Sequence, residues 1–176
     1  MRFLLPLILA IPGFAFAAGD DDDATPTTTP TTKTCKGIKV WDADKKRCVN
    51  PQGSELETDT LQDAVRELAY AGRYLDAQGV LRAMPDQTDD RVLTYWGFTH
   101  RKLGNLELAN AFYEDAIARN PDNILARSYM GQGFVAEGRV DDAIAQWREI
   151  KARGGADSWA EVSLRDAIRT GITYSY

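Results

Sequence analysis

Three short stretches decide how this chain reads: Gly72-Arg-Tyr-Leu-Asp-Ala77, Gly104-Asn-Leu-Glu-Leu-Ala109 and Gly138-Arg-Val-Asp-Asp-Ala143. Each opens on a glycine and reaches an alanine five residues later, and the glycines lie 32 and then 34 residues apart. A glycine placed after an apolar-periodic run is a helix stop, because it enters the left-handed region without steric cost. The run before Gly72 carries Leu61, Ala64, Val65 and Leu68 at helical spacing. Ser54-x-x-Glu57 and Thr60-x-x-Asp63 are its capping-box-like starts. The alanines then fall inside the following helix, where a small side chain lets two helices approach. Helix, glycine turn, helix, repeated at one period, is the pattern of a repeat architecture.

Working outward, the middle unit runs Trp96-Gly97, His100, Gly104, Ala109, Tyr113, Ala116 and Pro121. The third offers Met130-Gly131, Phe134, Gly138, Ala143, Trp147 and Ile150, with Gly154 and Gly155 where a closing proline is expected. The first is degenerate: Ala64-Val65 replaces the large-residue–glycine pair, Leu68, Gly72, Ala77, Leu81 and Met84 follow, and Pro85 shortens its second helix. This pattern resembles the tetratricopeptide repeat over residues 58–157. The resemblance implies an all-α fold, an α-solenoid of three helical hairpins (58–89, 90–123 and 124–157) in a right-handed superhelix. About three stacked units are needed to bury a shared seam, and the last needs a cap. Ser158-x-x-Glu161 starts one more helix, and residues 158–176 read as that cap and a tail ending in Ile172, Tyr174 and Tyr176.

The resemblance further implies a concave face lined by the first helix of each pair. Offsets from the glycines place Gln62, Arg66, Ala69 and Tyr70 there from the first unit. Arg91, Thr94, Tyr95, Phe98, Arg101 and Lys102 follow from the second, and Leu125, Ser128, Tyr129 and Gln132 from the third. Aromatic and basic groups mixed in this way suit a peptide with apolar anchors and some negative charge. The lysine-and-asparagine set with which some family members clamp a chain-terminal carboxylate is not reproduced.

Ahead of the repeats the composition changes. Arg2, the apolar stretch Phe3 to Ile11 and Ala15-Phe16-Ala17 read as a signal peptide over residues 1–17, cut near Ala17 or Ala18. A periplasmic or secreted location follows as the expectation. Residues 18–34, with Asp20 to Asp23 and a Thr/Pro-rich run, have little to bury and read as a disordered spacer. Cys35 and Cys48 are the only cysteines, and an even count in an exported chain points to a disulfide. Residues 35–49 then form a two-stranded hairpin, which the bridge stabilises by about 3 kcal/mol. Trp41 within it is either an exposed contact residue or a cover for the bridge.

The chemistry-bearing inventory is short. The formal charge of −5 disfavours nucleic acid and anionic membrane surfaces as partners. His100 is the single histidine, at a position the family fills with a packing tyrosine, so it reads as a seam residue. No second histidine completes a metal pair, and no Gly-Lys-Ser/Thr phosphate loop occurs. No catalytic residue, metal or cofactor is expected, and the partner is another protein or peptide segment. The alternative is a structural protein that touches a cell-wall or surface glycan through the Cys35–Cys48 hairpin and Trp41.

Overall fold

The structure is a computed structural model that describes residues 27–173. The expected leader, its cleavage site, the acidic run and the terminal Tyr174 and Tyr176 lie outside the described residues. Within them the protein is mostly helical: α1 (Pro30–Lys33), α2 (Thr58–Tyr70), α3 (Tyr74–Leu81), α4 (Asp90–Lys102), α5 (Leu106–Arg119), α6 (Ile124–Ala136), α7 (Val140–Ala152) and α8 (Trp159–Thr170). Two short strands, β1 (Val40–Asp42) and β2 (Arg47–Val49), pair antiparallel with Trp41 opposite Cys48. No helix among the described residues is long and apolar enough to cross a membrane.

The recurring glycines do the same physical work each time. Gly72, Gly104 and Gly138 sit at φ +74, +85 and +76. After α2, the Arg73 N–H donates to Leu68 O at 2.9 Å and the Gly72 N–H to Ala69 O at 3.2 Å. The same two bonds recur after α4 (Asn105 to His100, Gly104 to Arg101) and after α6 (Arg139 to Phe134, Gly138 to Val135). This nested pair satisfies carbonyls that a helix end otherwise leaves open, and it turns the chain sharply. Gly154, at φ +80, repeats it after α7, where the sequence lacks the expected proline.

Successive helices pack as the pairs α2–α3, α4–α5 and α6–α7, and the first helices also touch in series, α2 to α4 to α6 to α8. Ala77, Ala109 and Ala143 are all buried. A side chain at Gly97 would start 2.5 Å from the Tyr113 ring, and one at Gly131 would start 2.7 Å from Leu164 of α8. Small residues thus stand where the helices come closest. The starts are set by Asp89, Asn123 and Ser158, whose side chains accept from the N–H groups of Arg91, Ala126 and Glu161. The expected start at Ser54 is not used: α2 begins at Thr58 after Glu57, which makes no side-chain cap, and the Ser54 hydroxyl donates to Pro51 O. Pro121 closes the second pair, and its carbonyl accepts from the Arg127 guanidinium at 3.0 Å.

Cys35 and Cys48 form the expected disulfide. One sequence expectation about this end needs correction. The spacer is not unstructured to Thr34, because Pro30–Lys33 is a helical turn capped by the Thr29 hydroxyl. The hairpin, whose relation to the helices the sequence left open, packs on them. The carboxylate of Glu67 accepts from Thr29 and Thr32, through both backbone N–H groups and both hydroxyls. Arg73 donates to the carbonyls of Thr31, Cys35 and Gly37. Val40 joins the core, and Ile38 lies directly on Gly79, where no side chain intervenes. Threonine-rich composition predicts disorder only while the hydroxyls lack fixed acceptors. Here a buried carboxylate from α2 supplies them.

Candidate functional site

Gln62, Arg66 and Tyr70 recur every fourth residue on α2 and so share one face. Together with Tyr95, Phe98 and Tyr129 they belong to the first helices of the pairs. An aromatic row crosses these helices. The Tyr70 and Phe98 rings are stacked at 6.1 Å, Phe98 lies 4.7 Å from Tyr129, and Tyr129 lies 5.9 Å from Trp159. Tyr95 meets Phe98 and Tyr129 at 6.1 and 6.4 Å. The Tyr70 and Tyr129 hydroxyls share a hydrogen bond of 2.9 Å, tying α2 to α6.

Among the residues expected on the concave face, the structure joins Tyr70, Tyr95, Phe98 and Tyr129 through their rings, and the ten polar and aromatic ones are not a uniformly open surface. Arg91 and Lys102 are partly exposed, whereas Gln62, Arg66, Tyr70, Tyr95, Phe98, Arg101, Tyr129 and Gln132 are buried. An offset count places a residue on a helix face; it cannot register how tightly neighbouring aromatics close over that face.

The polar members divide by how they are satisfied. Gln132 donates toward Ser128 and Ser163, whose hydroxyls also bond to each other, in a network joining α6 to α8. Arg91 pairs with Asp89 at 3.2 Å and Asp59 at 3.7 Å, so acidic neighbours offset its charge. Arg66 has Asp63 at 4.0 Å. Gln62 differs: it is 3% exposed, and among the described residues neither its amide oxygen nor its amide nitrogen has a hydrogen-bond partner. Arg101 likewise has two buried nitrogens without an acceptor. Each buried polar group left unpaired costs about 1–3 kcal/mol. Lys102 stands over the Phe98 ring at 5.6 Å. Burial, assisted by the Arg101 charge, pushes its pKa down to about 8.

Two contributors escaped the sequence reading: Trp159, which ends the aromatic row, and Ser163, which completes the Gln132 network. Gly171, at φ +72, closes α8 with a different pattern: its N–H donates to Ala167 O, and the Ile172 N–H donates to Thr170 Oγ1. Trp159 and Ser163 stand 12 and 8 residues before Gly171, offsets that no inner-face residue of the earlier helices has from its glycine, so the same count does not find them. His100 is a half-buried ring stacked with Trp96 at 5.7 Å and Phe112 at 5.6 Å, consistent with the expected seam position. Its pKa is lowered by burial and then by the charge of Arg82. Trp41 is half-buried, and its backbone N–H donates to Thr31 Oγ1.

No family model, curated protein or solved structure matches this chain.

Proposed function

We propose that the chain is an exported, non-enzymatic scaffold of the tetratricopeptide-repeat type, built as an α-solenoid of three helical hairpins and a capping helix. In this reading it holds a segment of another protein against the face formed by its first helices. Three matched glycine turns, buried alanines at matched offsets and first helices in series support the repeat reading. The observation that carries the binding reading is Gln62, whose carboxamide is removed from water with both its donor and its acceptor unmatched. A carboxamide offers what a peptide main-chain group requires, one donor and one acceptor side by side. The aromatic row beside it supplies apolar anchorage of the kind that dominates interfaces.

The test replaces Arg91 or Lys102, both partly exposed on the inner face, with a photo-crosslinking amino acid. A control places it at Glu114 on the exposed side of α5. Each protein is irradiated in an extract of the source cells, and adducts are mapped by mass spectrometry. One discrete partner crosslinked from the inner positions, competed away by unlabelled protein and absent from Glu114, is the expected result. Equal labelling from Glu114, or none from the inner positions, rejects the reading.

A further inference from the structure

We infer that Arg101 and Tyr113 form a carboxylate-binding site between α4, α5 and α6, which takes an acidic side chain of the partner; this rests on the scaffold reading above. Arg101 is 8% exposed. No acidic side chain among the described residues pairs with it. Its Nε and Nη2 are the buried atoms that lack acceptors. Those two nitrogens share one edge of the guanidinium, and that edge presents two parallel N–H bonds. It is the edge that grips a carboxylate in a side-on, two-bond arrangement.

The surroundings keep this edge available. The Tyr113 hydroxyl, fully buried on α5, also lacks a partner. Burial pushes its pKa up to about 12, opposed by the Arg101 charge and by a hydrogen-bonding contact with the Arg101 guanidinium, a contact too far from ideal geometry to satisfy either group. As a neutral phenol it can donate a third hydrogen bond to an anion. On the other side, Gly133 of α6 makes room for the Arg101 stem: a Cβ there would lie 3.2 Å from Arg101 Cδ. Lys102 marks the partly exposed rim.

Two simpler accounts fall short. The guanidinium lies 5.6 Å from the Phe98 ring centre, and a cation–π contact returns part of the desolvation cost but supplies no acceptor. The C-terminal dipole of α4 favours positive charge, but the two N–H bonds are still unmatched. A buried cation without a counter-charge burdens the fold, and an apolar side chain of similar length would stabilise it. A residue that costs stability where it stands is expected when a site is shaped for a ligand.

The experiment uses the protein purified without its leader, with sodium acetate as the probe. The Arg Nε–H signals are followed by 15N-edited NMR during titration, against sodium chloride at equal ionic strength and against inorganic phosphate. Thermal unfolding is recorded in parallel for wild type, Arg101→Met, Arg101→Lys and Tyr113→Phe. The expected result is a saturable shift of the Arg101 Nε–H signal with acetate and none with chloride. Tyr113→Phe weakens the affinity about tenfold, as loss of one hydrogen bond to a charged group implies. Arg101→Met melts higher than wild type in chloride and loses the acetate-dependent rise in Tm, and Arg101→Lys, which lacks the paired edge, does not restore it. An Arg101 signal indifferent to acetate, or equally responsive to chloride, overturns the proposal. So does an acetate-dependent rise in Tm that survives in Arg101→Met. Tighter binding of phosphate overturns the acidic-residue assignment. Acetate binding without inner-face crosslinks leaves the site standing and rejects the scaffold. Crosslinks undiminished by Arg101→Met do the reverse.

Discussion

Thr29 and Glu67, 38 residues apart, are joined edge to edge: the Thr29 N–H donates to Glu67 Oε1 and its hydroxyl donates to Glu67 Oε2, each at 2.6 Å. Thr32 adds its own N–H and hydroxyl to Oε1. Glu67 lies within α2, so a helical residue of the first repeat-like pair organises the segment that precedes the disulfide. The N-terminal part therefore acts as a cover on α2 and α3.

Glu67→Ala leaves two backbone N–H groups and two hydroxyls of that segment without their acceptor. A loss of about 2 kcal/mol in unfolding free energy is expected. Amide hydrogen exchange is expected to accelerate first over residues 29–34, with the amides of α6 and α7 little changed. Uniform acceleration along the chain would show that Glu67 supports the whole fold and not this cover.

Opening the disulfide in a Cys35→Ser, Cys48→Ser variant removes the constraint on a short loop, worth about 3 kcal/mol in the chain-entropy account. The loop carbonyls of Cys35 and Gly37 also hold Arg73 at the α2–α3 turn. The variant is expected to keep its helical circular dichroism while its Tm falls and exchange rises at the α2–α3 turn. An unchanged turn would mean that the hairpin and the first pair are energetically independent.

Gly97→Ala tests close packing. Alanine is the better helix former by about 1 kcal/mol, so an unhindered site is stabilised. At Gly97 the new methyl would start 2.5 Å from the ring of the fully buried Tyr113, and a net loss of about 1–3 kcal/mol is expected. Urea denaturation of Gly97→Ala decides the sign. Gly104→Ala serves as the contrast: nothing lies near its Cβ, but at φ +85 alanine costs about 1–2 kcal/mol in backbone strain.

Lys102 sets a pH dependence. Its pKa is about 8 when folded, against the ordinary 10.5. Between those values the unfolded chain holds a proton that the folded chain has released. Stability contributed through Lys102 therefore rises from pH 8 towards 10.5, and the penalty is fully present below pH 8. Tyr113, raised to about 12, acts in the opposite direction above its ordinary 10, so the clean window is pH 8–10. In that window the stability advantage of Lys102→Met over wild type is expected to shrink as pH rises. A constant difference would place Lys102 in water.

The sequence by itself determined the helix content, the glycine stops and the disulfide. These are local matters: a glycine that must adopt positive φ, an alanine where two helices meet and two cysteines 13 residues apart leave marks at fixed positions along the chain. It also placed Tyr70, Phe98 and Tyr129 on the first helices, since helical offsets are independent of what packs above them. The tertiary structure alone decided how those side chains are used. Burial of Phe98 and Tyr129, the unmatched edge of Arg101 and the capture of Thr29 and Thr32 by Glu67 all depend on groups far apart in sequence. Nothing in a threonine-rich stretch says that a carboxylate 38 residues later will accept its hydrogen bonds, because solvation and pairing are set by the neighbours that folding brings together and not by the residues alone.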